Sequence, residues 1–190
     1  TVNEQEAAGI LGVNLMHAAF YFNHDPKLVV NSLMDGLSRR RIEVDMIKFS
    51  GPVFASVDNR LMSLQLVENS LTDAAMFTAA GEVVQPSEVL FGKRVLIERG
   101  SFRPVTNVTL DMLARAQRQL EQDNPGSGEE RVILMEMTLN NLMSAQTIDH
   151  QDFLDRVDLL GALGQTVMIS NYTRFDGVTA YLRKATQNWI

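Results

Sequence analysis

Short apolar segments alternate with longer amphipathic ones along most of this chain, and this rhythm limits its fold more than any other feature. Five apolar segments are typical of strands, at residues 42–49, 73–77, 94–97, 131–137 and 166–170. Helical patterns lie between or after them, at residues 59–70, 106–122, 151–163 and 177–187, with one helical turn at 87–91. Buried strands that alternate with helices favour a largely parallel sheet. We therefore predict an open α/β sheet of about five strands with helices on both faces; the alternative is a half barrel completed by another part of a longer chain.

Two helices are predicted before the first strand. The pattern from Glu4 to Phe22 is apolar on several sides, so we expect this helix to be buried on several sides. Asp25 is a natural N-cap with Pro26 at the first helical position, and the second helix should run to Ser38. Residues 1–40 are thus predicted to form a helical segment packed on the sheet of a Rossmann-like domain at 41–190.

Composition and motifs exclude several classes of function. The formal net charge of −6 argues against a nucleic-acid partner, and no apolar run approaches the roughly 20 residues of a membrane helix. The chain has no cysteine, which excludes a disulfide scaffold, a thiolate zinc site and a cysteine nucleophile, and fits a cytoplasmic location. The P-loop, G-x-S-x-G and G-x-G-x-x-G motifs are absent, and the three histidines have no metal-binding spacing. Since the chain does not begin with Met and stops directly after a helical pattern, we expect it to be part of a longer protein.

Polar clusters follow most of the predicted strands, where open α/β sheets bind ligands. The stretch from Glu98 to Asn107 is the most informative, because Arg99 and Arg103 precede a helix that Thr106 would cap. Guanidinium groups near a helix N-terminus suit a phosphate or carboxylate ligand. The other candidate binding residues of this and the remaining clusters are Asp58, Arg60, Ser101, Asn107, Thr138, Asn140, Ser170, Asn171 and Arg174.

Two carboxylates are candidates for chemistry at the same edge. Glu98 and Glu136 are expected on facing or neighbouring strand ends, where they would act as acid and base or hold a divalent cation such as Mg²⁺. A purely structural role is the alternative: Arg99 would pair with Glu98 or Glu136, and Thr106 would only cap its helix.

Four stretches together carry a resemblance to a known family: residues 58–64, 98–107, 135–141 and 152–158. The chain resembles an uncharacterised bacterial family whose members are named either TonB-dependent receptor or nicotinate (or nicotinamide) mononucleotide adenylyltransferase. The first name implies an outer-membrane barrel of long strands that alternate apolar and polar residues. This chain has the opposite pattern, with short core strands and amphipathic helices. The second implies an α/β nucleotide-binding fold with an H-x-G-H motif and an I-S-S-T-x-x-R motif. Residues 169–174 are similar to the second motif, but the first is absent, so the histidines that nucleotidyl transfer would need are missing.

Three functions remain open from the sequence. The first is an enzyme or enzyme-derived domain that binds a small anionic metabolite or nucleotide. The second is a non-catalytic ligand-binding or regulatory domain that uses the same crevice. The third is a scaffold, with the rest of a parent chain or further copies of this chain as partners.

Overall fold

A five-stranded mixed sheet lies between two layers of helices in the computed structural model, which describes residues 2–123, 130–144 and 146–186. The strands are β1 Ala74–Phe77, β2 Val83–Val84, β3 Arg94–Arg99, β4 Arg131–Thr138, β5 Met143–Ser144, β6 Thr147–Ile148 and β7 Thr166–Ser170. The helices are α1 Val2–Tyr21, α2 Pro26–Ser32, α3 Asn59–Glu68, α4 Pro86–Leu90, α5 Asn107–Asp123, α6 Leu139–Leu142, α7 His150–Ala162 and α8 Phe175–Thr186. The predicted last residue of the closing helix, Gln187, lies outside the described residues.

The main sheet has five strands in the order β2-β1-β7-β4-β3, and β5 and β6 form a separate small hairpin. β3, β4 and β7 are mutually parallel, β1 is antiparallel to β7, and β2 is antiparallel to β1. Four of the five strands therefore run in one direction. The predicted fold class, an open and largely parallel sheet preceded by two helices, is confirmed.

Each face of the sheet has its own apolar core, as the uninterrupted apolar runs of β4 and β7 require. On one face the strands pack against α3, α5 and α7, with Phe77 and Phe153 edge to face at 6.1 Å. On the other face they pack against α4 and α8, through Leu90 and Val178. Side chains from both faces of β4 and β7 are buried, so these two strands form the centre of the molecule.

The prediction of a first strand at residues 42–49 is wrong, and β2 replaces it. Both edges of β1 are occupied, by β2 and β7, which leaves no place beside β1 for another strand. The 42–49 segment instead runs extended over α3, with Val44, Ile47 and Phe49 packed against that helix. The Asn59 side chain accepts a bond from Phe49 N (2.6 Å) and donates one to Phe49 O (3.0 Å), as a neighbouring strand would.

The two hydrogen bonds between the Asn59 side chain and the Phe49 backbone can be tested by substitution. Asn59→Ala should lower the free energy of unfolding by about 1–2 kcal/mol, because both backbone groups of Phe49 lose their partner in a half-buried position. Asn69→Ala is the control, since the exposed Asn69 amide donates only to the Asn31 side chain. Urea denaturation measures both variants. Equal stabilities for the two would show that Asn59 does not hold the extended segment.

The N-terminal helices differ from prediction in two ways. Asp25 caps α2 as predicted, accepting from Lys27 N and Leu28 N, but α2 ends at Ser32 rather than Ser38. The prediction that the first helix is buried on several sides is wrong, because α1 fully buries only Ala7 and Ala18 and leaves Phe20 76% exposed. The buried side chains of Val30 and Leu33 lie in one apolar cluster with Met62 and Leu66 of α3. None of the helices in the described residues has the length and hydropathy needed to cross a membrane.

Candidate functional site

Four strands bring polar groups to one edge of the sheet. β3, β4 and β7 end there, and β1 begins there because it runs the other way. The backbone N–H of Asn171, just after β7, donates to the backbone carbonyl of Asp73, just before β1, at 2.8 Å. This edge is the place where the sequence analysis predicts a ligand.

A closed ion-pair network lies at the centre of this edge. Arg99 donates to Glu136 through two nitrogens, at 2.7 and 2.8 Å, and the Ser170 hydroxyl donates to the same carboxylate at 2.6 Å. Glu136 is completely buried, and the Arg99 side chain is 13% exposed. Arg99 also donates to the Thr173 carbonyl and lies 4.4 Å from the centre of the Phe175 ring. The N–H groups of Arg99 are therefore engaged within the protein. This is the purely structural role that the sequence left open as the alternative to ligand binding.

Glu98 and Glu136 are not brought together. Arg99 is the register partner of Glu136 and shares its face, so Glu98, one residue earlier, points to the opposite face of the sheet. Burial raises the pKa of the Glu98 carboxyl, and its Oε2 has no hydrogen-bond partner among the described residues. The predicted acid–base pair or shared Mg²⁺ site is thus not formed. Within the described parts of the chain, no cluster of three His, Asp or Glu side chains is arranged to hold a metal.

The other predicted cations at this edge are exposed and paired. Arg103 is 60% exposed beside Asp152, and Arg174 is 81% exposed beside Asp176. Ser101, Asn107, Asn140 and Asn171 are also exposed. Thr106 and Thr138 accept backbone N–H bonds at the starts of α5 and α6, from Thr109 and Asn141, so both act as helix caps.

The loop after β3 is organised by Arg156, which the sequence analysis did not select. Arg156 is almost fully buried on α7, pairs with Asp152, and donates to the carbonyls of Ser101 (3.0 Å) and Asn141 (2.9 Å). It therefore ties the loop after β3 and the short helix α6 after β4 to α7. The signal that could have found it is the Asp152–Arg156 spacing of four residues on a predicted helix.

A cavity of about 220 Å³ lies at the same edge, beside α8. We call it the Asp73 cavity. Three carboxylates, two tyrosines and a lysine line it, together with Pro86, Ser87 and Ala185. These charged and aromatic residues are Glu43, Asp45, Asp73, Tyr172, Tyr181 and Lys184.

Hydrogen bonds and ion pairs set the charge of this cavity. Arg39 contacts Asp73 at 2.6 Å and lowers the pKa of that carboxyl, so Asp73 is ionised at neutral pH. The Tyr172 hydroxyl lies 3.3 Å from Asp73. Burial and the neighbouring Asp73 charge raise the pKa of Tyr172, which therefore stays a neutral donor. Glu43 accepts from Thr72 at 2.7 Å and Asp45 accepts from Gln85 at 3.1 Å, so the carboxylates are held in place.

No residue of the Asp73 cavity was among the binding residues predicted from the sequence. Glu43 and Asp45 were assigned to a strand that does not exist, and Asp73 precedes a strand rather than following one. Asp73 lies at the edge where β3, β4 and β7 end only because β1 runs antiparallel to β7. Tyr172 lies between the predicted binding residues Asn171 and Arg174, which was the one available signal.

Further hollows lie elsewhere in the described residues. The predicted residues Asp58 and Arg60 line one of about 420 Å³ near the β1–β2 turn, where Arg60 pairs with Asp58 and Asp158. These two residues do not follow a strand as predicted; Asp58 caps α3, and the Arg60 guanidinium lowers its pKa. Another hollow, of about 410 Å³, lies between α5 and the starts of β3, β4 and β7. Its cations Lys93 and Arg131 pair with Glu130 and Glu121.

The chain matches no protein-family model, no curated protein and no solved structure. Function therefore follows from the chemistry of these sites alone.

Proposed function

We propose that this domain binds a small metabolite with a positively charged amino group in the Asp73 cavity, without chemical turnover. The observation that carries the proposal is the convergence of Glu43, Asp45 and Asp73 with two tyrosines on one cavity at the edge where α/β sheets hold ligands. Three carboxylates face only two cations, Arg39 and Lys184, so the cavity has a net negative charge. A ligand ammonium group would neutralise it.

The division of the carboxylates indicates how such a ligand would be held. Arg39 and Tyr172 occupy Asp73, and Arg39 also lies 3.5 Å from Glu43 Oε1, which accepts from Thr72. Asp45 and the other oxygen of Glu43 are therefore the acceptors offered to an ammonium group. The Tyr172 and Tyr181 rings, 5.7 Å apart, offer π faces to a cation. Lys184 at the rim would accept an anionic group of the same ligand. This arrangement suits an amino acid or another small zwitterion.

Binding without turnover is favoured by the state of the candidate catalytic groups. Glu136 is sealed by Arg99 and Ser170, and Glu98 lies on the other face of the sheet. Acid–base catalysis requires a group within reach of the substrate that can change its protonation. Neither Glu98 nor Glu136 lines the Asp73 cavity. Of the titratable groups that do, Asp73 is held ionised by Arg39, and burial raises the pKa of Tyr172 and of Tyr181.

The second candidate is a Rossmann-like enzyme domain that binds a small anionic metabolite or nucleotide, as the sequence predicts for a cytoplasmic protein. The exposed guanidinium groups of Arg103 and Arg174, after β3 and β7, favour it. A nucleotide would lie outside the Asp73 cavity, since a cavity of about 220 Å³ is below the usual range for such ligands.

Thermal shift assays against defined compounds distinguish these proposals. The panel contains aliphatic amines, α-amino acids, inorganic phosphate and adenine nucleotides with and without Mg²⁺. We expect an amine or amino acid to raise the melting temperature, since a ligand at 100 times its Kd adds about 2.7 kcal/mol. Asp45→Asn should abolish this shift, and the matched control Asp176→Asn, at an exposed pair on the same side of the sheet, should leave it unchanged.

Each other outcome counts against the proposal. A shift produced only by phosphate or nucleotides, and lost in the Arg103→Ala/Arg174→Ala double variant, would support the anionic ligand instead. A dependence of that shift on Mg²⁺ would favour an enzyme. No shift with any compound would leave the scaffold role.

A further inference from the structure

The outer edge of β3 has no strand beside it among the described residues. β3 pairs only with β4, where Arg94 N donates to Glu130 O and Gly100 N donates to Glu136 O, both at 3.0 Å. In a parallel ladder the residues of this even-numbered set direct their backbone groups to β4. The N–H and C=O groups of Val95 and Ile97 therefore point away from the sheet, and such an edge is a template for another strand.

The helical layers leave room on both sides of this edge. A groove of about 220 Å³ lies between β3 and α8, lined by Val95, Ile97 and Leu182. On the other face, Leu96 and Leu120 line the hollow of about 410 Å³ beside α5. The side chains of β3 are only half-buried along its whole length. The central strands are covered on both faces, whereas β3 is only partly covered on each.

We propose that β3 pairs antiparallel with β3 of a second copy of this chain, around a two-fold axis at Leu96. The two five-stranded sheets would then form one continuous sheet. In this register Val95 lies across from the second copy's Ile97, and the pair exchanges backbone hydrogen bonds in both directions. Leu96 lies across from its own counterpart.

Charge selects this register. With the axis at Leu96, Arg94 of each copy lies across from Glu98 of the other, which gives two opposite-charge pairs on the α5 face. An axis at Val95 or Ile97 would place Leu96 across from Arg94 or Glu98 and lose both pairs. An axis between two residues would set outward backbone groups against inward ones. Only the Leu96 register combines matched hydrogen bonding, an apolar centre and complementary charge.

The ends of the paired strands are also compatible. Glu98 carries a buried carboxylate oxygen without a hydrogen-bond partner in the described structure. If the side chain turned toward the edge, a guanidinium across the interface would satisfy this oxygen. Lys93 and Arg99 would oppose each other across the copies, but each is already neutralised, by Glu130 and Glu136. This self-complementarity favours a second copy over an unrelated strand, because a two-fold interface must match its own sequence.

Charge reversal tests the pairing. Sedimentation velocity of the 190-residue chain over a wide concentration range should show a monomer–dimer equilibrium. Arg94→Glu and Glu98→Arg should each weaken the dimer at least tenfold, and the double swap should restore it. Far-UV circular dichroism checks that each variant folds. A wild-type chain that stays monomeric at high micromolar concentration, or single variants that dimerise normally, would overturn the proposal.

Cysteine cross-linking tests the register independently, and the chain has no native cysteine to interfere. Opposed residues at the axis lie about 4.5 Å apart between Cα atoms, which a disulfide can span. Leu96→Cys should therefore form a covalent dimer on oxidation. Val95→Cys is the matched control, since its counterpart would be about 9 Å away, beyond disulfide reach. Equal cross-linking of both variants, or of Val95→Cys alone, would contradict the Leu96 axis. A complex with an unrelated strand would cross-link neither.

Discussion

Arg99→Ala should lower the free energy of unfolding by about 3–5 kcal/mol, the range found when one partner of a buried ion pair is removed. Glu136 is completely buried, and Arg99 supplies two of the three hydrogen bonds that it accepts. Without the guanidinium, the carboxylate keeps only the Ser170 hydroxyl in an environment closed to water. Guanidinium chloride denaturation, followed by circular dichroism, measures the loss.

Arg103→Ala is the matched control at the same edge of the sheet. Its side chain is 60% exposed and contacts a single carboxylate at 3.2 Å, so its removal should cost less than about 1 kcal/mol. Replacing both buried partners, as Arg99→Met with Glu136→Leu, should recover part of the loss because no unpaired charge then remains. If Arg99→Ala were no less stable than Arg103→Ala, the buried pair would not hold this edge together.

The ion pair also bears on the proposed ligand site. Ser170 donates its hydroxyl to Glu136 and lies 3.4 Å from the backbone N–H of Tyr172, whose ring lines the Asp73 cavity. Arg99 fixes the same loop from the other side through the Thr173 carbonyl. Arg99 and Arg39 thus have different tasks: Arg99 holds the loop, whereas Arg39 holds the Asp73 carboxylate.

The central strands could be predicted because their sequence pattern fits only one place in the fold. Continuous apolar runs such as Val132–Met135 and Val167–Ile169 require cover on both faces, which only the middle of an α/β sheet provides. The alternating pattern of 42–49 has two solutions. A half-buried strand and an extended segment lying on a helix bury every second side chain alike, and the choice depends on whether a sheet edge is free. β2 was missed because two residues beside a Gly81 turn carry almost no pattern.

It was harder to predict which face of the sheet each candidate residue occupies than which strand end it lies at. The sequence ended the third predicted strand at Ile97, whereas β3 continues to Arg99. Since side chains alternate along a strand, this extension places Glu98 and Arg99 on opposite faces. An error of one residue is therefore enough to exchange their roles. The direction of β1 could not be predicted either, because it depends on pairing with β7, far along the chain.

Gly161→Ala should destabilise the protein by about 3 kcal/mol or more, at the upper end of the cost of overpacking. Gly161 lies in α7 where the helix passes the turn between β1 and β2. A Cβ atom at this position would overlap the backbone carbonyl oxygen of Ala79. A flexible side chain could turn away, but a backbone carbonyl can move only if the hairpin or the helix shifts. The hairpin carries β2, and α7 carries Arg156, so the strain would reach both the sheet edge and the loop after β3.

Gly12→Ala is the matched control. Gly12 is also a helical glycine, but apart from its chain neighbours and the adjacent backbone of its own helix, no atom of the described residues lies within 4 Å of the place that an alanine methyl group would take there. Alanine should stabilise α1 by up to about 1 kcal/mol, because glycine loses more backbone entropy on helix formation. The same substitution thus has opposite signs at two positions, and thermal denaturation of both variants measures the difference. A stabilising effect of Gly161→Ala would show that α7 does not approach the β1–β2 turn this closely.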